Sequence, residues 1–309
     1  MGDDGRVTVV VVGYDASPAS DAALAWAARE AGRLARRTPV TVQVVYVRDM
    51  NDTHLDARPH DEVTGIGAWS LVERAAARVR DLAGSAVTVE SFVEYASPAA
   101  ALVGFSDGAD LVVVGSTPRG ALREELRGSC VLQVAAHARC PVVAVPASEV
   151  EASAEGSLPG EQDVTAEPRP VVVGYDGSAP AGVAIDHAAD AALAAGLPLR
   201  VVVAWWTGPM EWAESYAVAM QPRAAAEAAA ERTLAEAFGR VEERVVEGLV
   251  VDGLPVEGRP VDVLTAESEH ADRLVIGTRG RGGFAALVLG SVTHTLLRTA
   301  SCPVVVARA

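Results

Sequence analysis

Leu274-Val-Ile-Gly277-Thr-Arg-Gly280, followed after nine residues by Gly290-Ser291 and later by Cys302-Pro303, carries the second half of this chain to its end. The first half ends on nearly the same text: Leu111-Val-Val-Val-Gly115-Ser-Thr-Pro118, then Gly128-Ser129, then Cys140-Pro141. Gly115 and Gly277, Gly128 and Gly290, Ser129 and Ser291, Cys140 and Cys302 are each 162 positions apart, without a gap. An apolar run of strand length, a glycine loop and a Gly-Ser pair before a helix form a phosphate-loop pattern, and its repetition predicts a duplicated nucleotide-binding architecture. Pro118 stands where the second copy has Gly280, so the copies are not expected to be equally competent.

The same duplication extends outward. Val7–Val12 runs into Gly13-Tyr14-Asp15, and Val171–Val173 into Gly174-Tyr175-Asp176. Unbroken apolar runs of this kind indicate strands buried on both faces, as in parallel sheets covered by helices. Alanine-rich helices follow over Ser20–Arg36 and Gly182–Ala195, with Ser17 and Ser178 available as N-caps. Second strands are expected at Val40–Val47 and Leu199–Ala204, and further helices at Asp61–Leu82 and Ala213–Phe238. Third strands are placed at Val87–Val93 and Val245–Val251, then turns at Ala96-Ser97-Pro98 and Gly258-Arg259-Pro260 that open another helix. Asp110–Val114 and Arg273–Ile276 feed the glycine loops, and Val142–Val145 and Val304–Ala307 close the units. The expectation is an α/β chain of two tandem Rossmann-like domains, each a five-stranded parallel sheet with helices on both faces. The domains are read as 1–147 and 170–309, joined by an acidic linker over 148–169 rich in Glu, Gly, Ser and Pro.

Composition narrows the function. The chain has 309 residues and a formal net charge of -15, which disfavours nucleic acid and anionic membrane surfaces as partners. No apolar run is long enough to cross a bilayer, and the acidic N-terminus is unlike a secretory signal, so a cytoplasmic location is expected. All 26 basic residues are arginine. Without lysine, phosphate has to be held by backbone N–H groups, hydroxyls, arginine or a metal ion. Three cysteines are too few for a disulfide framework. Cys140 and Cys302 read as small buried residues at strand entrances, while Cys130, at a helix start, is where a dipole could lower a thiol pKa; packing outranks redox sensing for it as well.

In the second half Gly277 is read as letting the chain leave its strand sharply, and Gly280 as leaving room for a phosphate at its N–H. Gly290-Ser291 places N–H donors and a hydroxyl at a helix start. Arg279 and Arg281 flank Gly280, where they either offset phosphate charge or are simply solvated. The apolar segment Phe284–Leu289 either closes over a ligand, forms a protein contact or packs on the sheet.

The Gly-x2-Gly-x9-Gly-Ser pattern, the Gly-Tyr-Asp after the first strand and the final Cys-Pro-Val-Val-Val strand resemble the universal stress protein family in its tandem form. The resemblance implies a nucleotide site, in the ATP-binding branch of the family, built without a Walker loop. Carried over by position, Asp176 would face the adenine and ribose, Ala204 and Ile276 would line the adenine pocket, and Gly277, Gly280, Gly290, Ser291 and Val292 would surround ribose and phosphates. Asp176 has a second role open to it, capping the following helix. In the first half the matching residues are Asp15, Val47, Val114, Gly115, Gly128, Ser129 and Cys130. There Pro118 offers no N–H, Glu124 and Glu125 add negative charge, and Arg119, Arg123 and Arg127 partly offset it, so binding is expected to be weakened.

No catalytic constellation stands out. His54, His60, His137, His187, His270 and His294 are scattered, with no pair at metal-ligand spacing, and no metal site made of protein side chains is expected. ATP, with Mg2+ bridging its phosphates, is the expected ligand, and hydrolysis at most slow. The function expected is an ATP-binding regulator of stress physiology that acts through a protein partner the sequence does not name. The alternatives are an interaction scaffold that has lost nucleotide binding in one or both halves and, last, an adenylating enzyme. The apolar closing strands, Val142–Val145 and Val304–Ala307, lead to the expectation of an intrachain pseudo-dimer, with a homodimer as a further possibility.

Overall fold

The structure is a computed structural model that describes residues 6–48, 65–116, 128–148, 168–207, 223–244, 248–281 and 288–308. The linker expected at 148–169 falls almost wholly outside the described residues. The chain divides into two compact units, Met1–Gln162 and Asp163–Ala309.

In the first unit β1 (Thr8–Tyr14), β2 (Val40–Arg48), β3 (Val87–Tyr95), β4 (Leu111–Ser116) and β5 (Val142–Pro146) lie in the order β3-β2-β1-β4-β5. Every pairing among them is parallel. In the second unit β6 (Val171–Gly174), β7 (Leu199–Trp205), β8 (Val251–Glu257), β9 (Arg273–Gly277) and β10 (Val304–Ala307) repeat the arrangement as β8-β7-β6-β9-β10, again parallel. Val10–Val12 and Val171–Val173 are fully buried, as central strands covered on both faces require.

The covering helices of the first unit are α1 (Pro18–Leu34), α2 (Gly65–Ala83), α3 (Pro98–Phe105) and α4 (Gly128–His137). Those of the second are α5 (Ala179–Ala195), α6 (Arg223–Arg244), α7 (Pro260–Ser268) and α8 (Ser291–Thr299). In each unit the first two helices pack on one another and on the strands, and so do the last two. Ser17 and Ser178 cap α1 and α5, accepting from Ser20 N at 3.2 Å and Ala181 N at 3.3 Å, with proline at the start of each helix where a missing N–H costs nothing.

α5 and α6 are joined by two arginine rungs one helical turn apart. Arg240 donates to Asp186 at 2.8 and 2.6 Å, and Arg244 to Asp190 at 3.0 and 2.5 Å. Each pair is bidentate, the geometry a planar guanidinium allows and an ammonium does not.

A buried serine repeats between the units. Ser106 Oγ donates to Val103 O at 2.6 Å and accepts from Arg139 N at 2.9 Å; Ser268 Oγ donates to Thr265 O at 2.6 Å and accepts from Ser301 N at 3.0 Å. These bonds tie the ends of α3 and α7 to the turns before Cys140 and Cys302, both of which are buried.

One strand departs from expectation. Of the Val245–Val251 run, 245–247 lie outside the described residues and 248–250 are not strand; β8 begins at Val251 and continues through Gly253 and Pro255. Gly248 sits at φ +94°, a conformation incompatible with extended pairing, so the ladder starts only after it. Pro255 is tolerated because β8 is the outermost strand of its unit, and its burial alternates as in a half-exposed edge. The second-half helix expected at Ala213–Phe238 is observed as α6, with 208–222 outside the described residues.

Candidate functional site

In the second unit α5 leads from β6 to β7 on one side, while β9 lies on the other side of β6. The strand order therefore reverses between β6 and β9, the place where doubly wound sheets bind ligands beyond the carboxyl ends of their strands. Tyr175-Asp176-Gly177 leaves β6 there, and Thr278-Arg279-Gly280-Arg281 leaves β9.

Asp176 joins the two segments. Its Oδ1 accepts from Ser178 N at 2.9 Å and its Oδ2 from Arg281 N at 2.8 Å, across 105 residues. Gly280 lies against the same carboxylate: a Cβ there would fall 2.6 Å from Asp176 Oδ2. Gly177 has φ +76°, and the Arg281 guanidinium covers it so closely that a Cβ would collide with Nη2 and lie 3.1 Å from Cζ. No ion pair engages Arg281 among the described residues.

The other end of the loop returns to the same place. Gly290 N donates to Thr278 O at 2.9 Å, and a Cβ on Gly290 would lie 3.7 Å from Gly280 N. Gly290 is the N-cap of α8 and makes no side-chain cap bond. The first N–H groups of α8, beginning at Ser291, are the donors a helix start leaves without intrahelical acceptors. Thr293, in the first turn, sends its hydroxyl to Gly277 O at 2.9 Å. Gly280 thus lies between Asp176 and Gly290, beside the start of α8, where free N–H groups and the helix dipole favour an anion.

The remaining residues are placed as follows. Ile276 is buried under Gly174, where a Cβ would lie 3.5 Å from its Cγ2. Ala204 is half-buried near the end of β7, and Val292 half-buried on α8. Arg279 and His294 are exposed, the latter on the helix surface. Most of Phe284–Leu289 lies outside the described residues. Trp205, which follows Ala204, carries the Arg223 guanidinium 5.6 Å from its ring centroid, and Arg223 also pairs with Glu257 at 2.5 Å.

The role expected of Gly277 needs correcting. Its backbone is not left-handed, so it does not turn the chain through a conformation closed to other residues. Instead the first turn of α5 presses on it: a Cβ would lie 2.7 Å from the Pro180 carbonyl carbon and 2.8 Å from its oxygen. Gly115 is pressed in the same way by Ala19 and Ser20 of α1.

In the first unit Asp15 Oδ1 accepts from Ser17 N at 3.0 Å, and Asp15 N donates to Ser20 Oγ at 3.3 Å. Ala16 takes the place of Gly177 and holds φ +61°, so a methyl projects where the second unit lays a guanidinium. Val114 is buried and Val47 half-buried at the ends of β4 and β2, and Gly128 and Ser129 open α4. Pro118, Arg119, Arg123, Glu124, Glu125 and Arg127 lie outside the described residues.

The thiol of Cys130 is not activated by its helix start. Burial, then the charge of Asp15, pushes its pKa up to about 11. At pH 8 iodoacetamide is expected to modify Cys130 in the folded chain on the order of a hundredfold more slowly than in the urea-unfolded chain, because the thiolate fraction falls by that order. Peptide mass spectrometry gives both rates, and equal rates would refute this view of the thiol. Tyr175 is likewise held in its neutral form, its pKa raised by burial and then by Glu236.

Two residues of the site have contacts that the sequence reading did not give. Arg281, read there only for its side-chain charge, enters through its backbone N–H, which no side-chain reading reveals. Thr293 was open to detection: the chain reads Gly-Ser-Val-Thr here and Gly-Ser-Cys-Val in the first half. Among the described residues, no group of three or more His, Cys, Asp or Glu comes together to hold a metal, and no helix is long and apolar enough to cross a membrane.

Fold and site define a tandem pair of doubly wound α/β units, the second with a loop-and-helix cradle at its switch point. The chain belongs to the universal stress protein family, whose sequence profile matches residues 7–146 and again 167–308. Universal stress protein Rv2005c of Mycobacterium tuberculosis is 33% identical over 305 residues, covering 97% of this chain and 96% of that protein. Universal stress protein Rv2623 of the same organism is 32% identical over 316 residues, with the same coverage. Among solved structures, a universal stress protein from Archaeoglobus fulgidus shares the fold with a TM-score of 0.63 and 18% identity, covering 97% of this chain and 96% of its own.

Proposed function

We propose that the second unit binds ATP and that occupancy of this site makes the chain a nucleotide-dependent regulator in stress physiology. The observation that carries the reading is the close approach of Gly280 to Asp176 on one side and to Gly290, at the start of α8, on the other. N–H donors there meet phosphate oxygens without a cationic side chain, as a chain lacking lysine requires. Ala204 and Ile276 supply apolar surface for the base at the adjacent strand ends. Mg2+ accompanying ATP would be held by phosphate oxygens. The Asp176 carboxylate accepts two backbone N–H groups, a loop-ordering role compatible with contact to the ribose.

The first unit is the part to which the scaffold reading applies. Ala16 follows its carboxylate, Asp15, where the second unit has Gly177, and Pro118 replaces Gly280 in the sequence, so nucleotide is expected in the second unit alone. Mass spectrometry of the chain purified without added nucleotide, with calorimetric titration of the stripped protein, tests this. One ATP per chain is the expected stoichiometry. Two equivalent sites would overturn the asymmetry, no binding would overturn the ATP reading in favour of a scaffold, and a bound adenylate would favour an enzyme.

A further inference from the structure

We propose that Thr293 is a positioning residue of the second unit's nucleotide site, fixing through the Gly277 carbonyl where the loop's donors stand relative to those of α8; this rests on the ATP reading above. Threonines in helices ordinarily return their hydroxyl to the carbonyl four residues earlier. Thr295 does so to Ser291 O at 2.9 Å, and Thr299 to Thr295 O at 3.1 Å. Thr293, in the first turn, has no carbonyl of α8 four residues before it, and its hydroxyl donates instead to the last residue of β9.

Thr293 is only 3% exposed, so the bond is sheltered from competing water. One residue further along the loop, Thr278 O accepts from Gly290 N. Consecutive carbonyls, of Gly277 and Thr278, are therefore fastened to the start of α8, one by a side chain and one by the backbone. Between the fastenings and Asp176 lie only Arg279, Gly280 and Arg281. Arg281 N–H is taken by Asp176, so the Gly280 N–H and the donors of the helix start must meet the same phosphates, and a shift of either by an ångström would spoil the pairing.

The first unit replaces this residue. Val131, the second residue after its own Gly128-Ser129 as Thr293 is after Gly290-Ser291, is buried, but it has no hydroxyl to donate. Valine keeps the shape of threonine and deletes the bond. The change coincides with Pro118 for Gly280 and Ala16 for Gly177, so three positions that order the second loop have been altered in the first.

The test uses the full-length chain and two variants. Thr293→Val keeps the volume and removes the donor; Thr293→Ser keeps the donor and removes a methyl. Calorimetry with Mg-ATP is expected to show affinity roughly tenfold weaker for T293V, the scale of one lost sheltered hydrogen bond, and near the wild-type value for T293S. A purely structural role would make affinity follow melting temperature in both variants instead. Hydrogen exchange on nucleotide-free protein is expected to show faster exchange of residues 278–281 in T293V. Unchanged affinity or unchanged exchange in T293V overturns the inference while wild-type binding stands. Wild-type chain that takes up no ATP overturns the ATP reading and this role together.

Discussion

Gly277→Ala is expected to destabilise the second unit severely, lowering its melting temperature by about 10 °C, from an overpacking cost on the order of 3 kcal/mol. The new methyl would stand 2.7 Å from the Pro180 carbonyl carbon, which is backbone and has no rotamer to change. The neighbouring residues cannot retreat cheaply either, because Ser178 and Pro180 open a capped helix pressed onto β6 and β9. Gly115→Ala should do the same in the first unit, where the methyl would lie 2.5 Å from Ala19 O and 2.7 Å from Ser20 N. Calorimetric scanning of both variants, with hydrogen exchange to say which unit opens first, checks the expectation. A melting temperature within about 2 °C of wild type in either variant would show that the helix start yields more easily than its contacts imply.

Gly280→Pro is expected to lower ATP affinity by roughly a hundredfold, since a charge-assisted backbone donor is worth about 1.5–3 kcal/mol and the ring also strikes the carboxylate that orders the loop. Gly280→Ala separates the two causes. It retains the N–H but places a Cβ 2.6 Å from Asp176 Oδ2, so a large loss in G280A assigns the effect to the displaced carboxylate. The reciprocal change, Pro118→Gly, should recover only part of an affinity in the first unit, because Ala16 and Val131 remain. Calorimetric titration of all three decides the matter. Wild-type affinity in G280P would remove this glycine from the binding mechanism.

Strand positions were legible wherever both faces are buried, because an interior parallel strand is an unbroken apolar run. β8 was placed too early because an edge strand need not be one: it contains Gly253 and Pro255, while the more apolar Val245–Val251 run only reaches its first residue. The site glycines were legible as positions, but their causes were not. Gly277 is pressed by a helix that starts about a hundred residues earlier in the chain, and Gly280 by a carboxylate equally remote. Spacing along a sequence records that room is needed without naming the group that needs it. Thr293 left a weaker trace, a difference between two halves otherwise in register.

The arginine rungs between α5 and α6 bear on how this protein can be controlled chemically. Acylation of a lysine removes its charge and its salt-bridge donor. Here every side-chain cation is a guanidinium, so Asp186 and Asp190 keep their partners whatever the acyl-donor level of the surroundings. Metabolic acetyl groups have no side-chain amine on this chain to modify, so charge-erasing lysine acylation cannot break either rung of the helix pair.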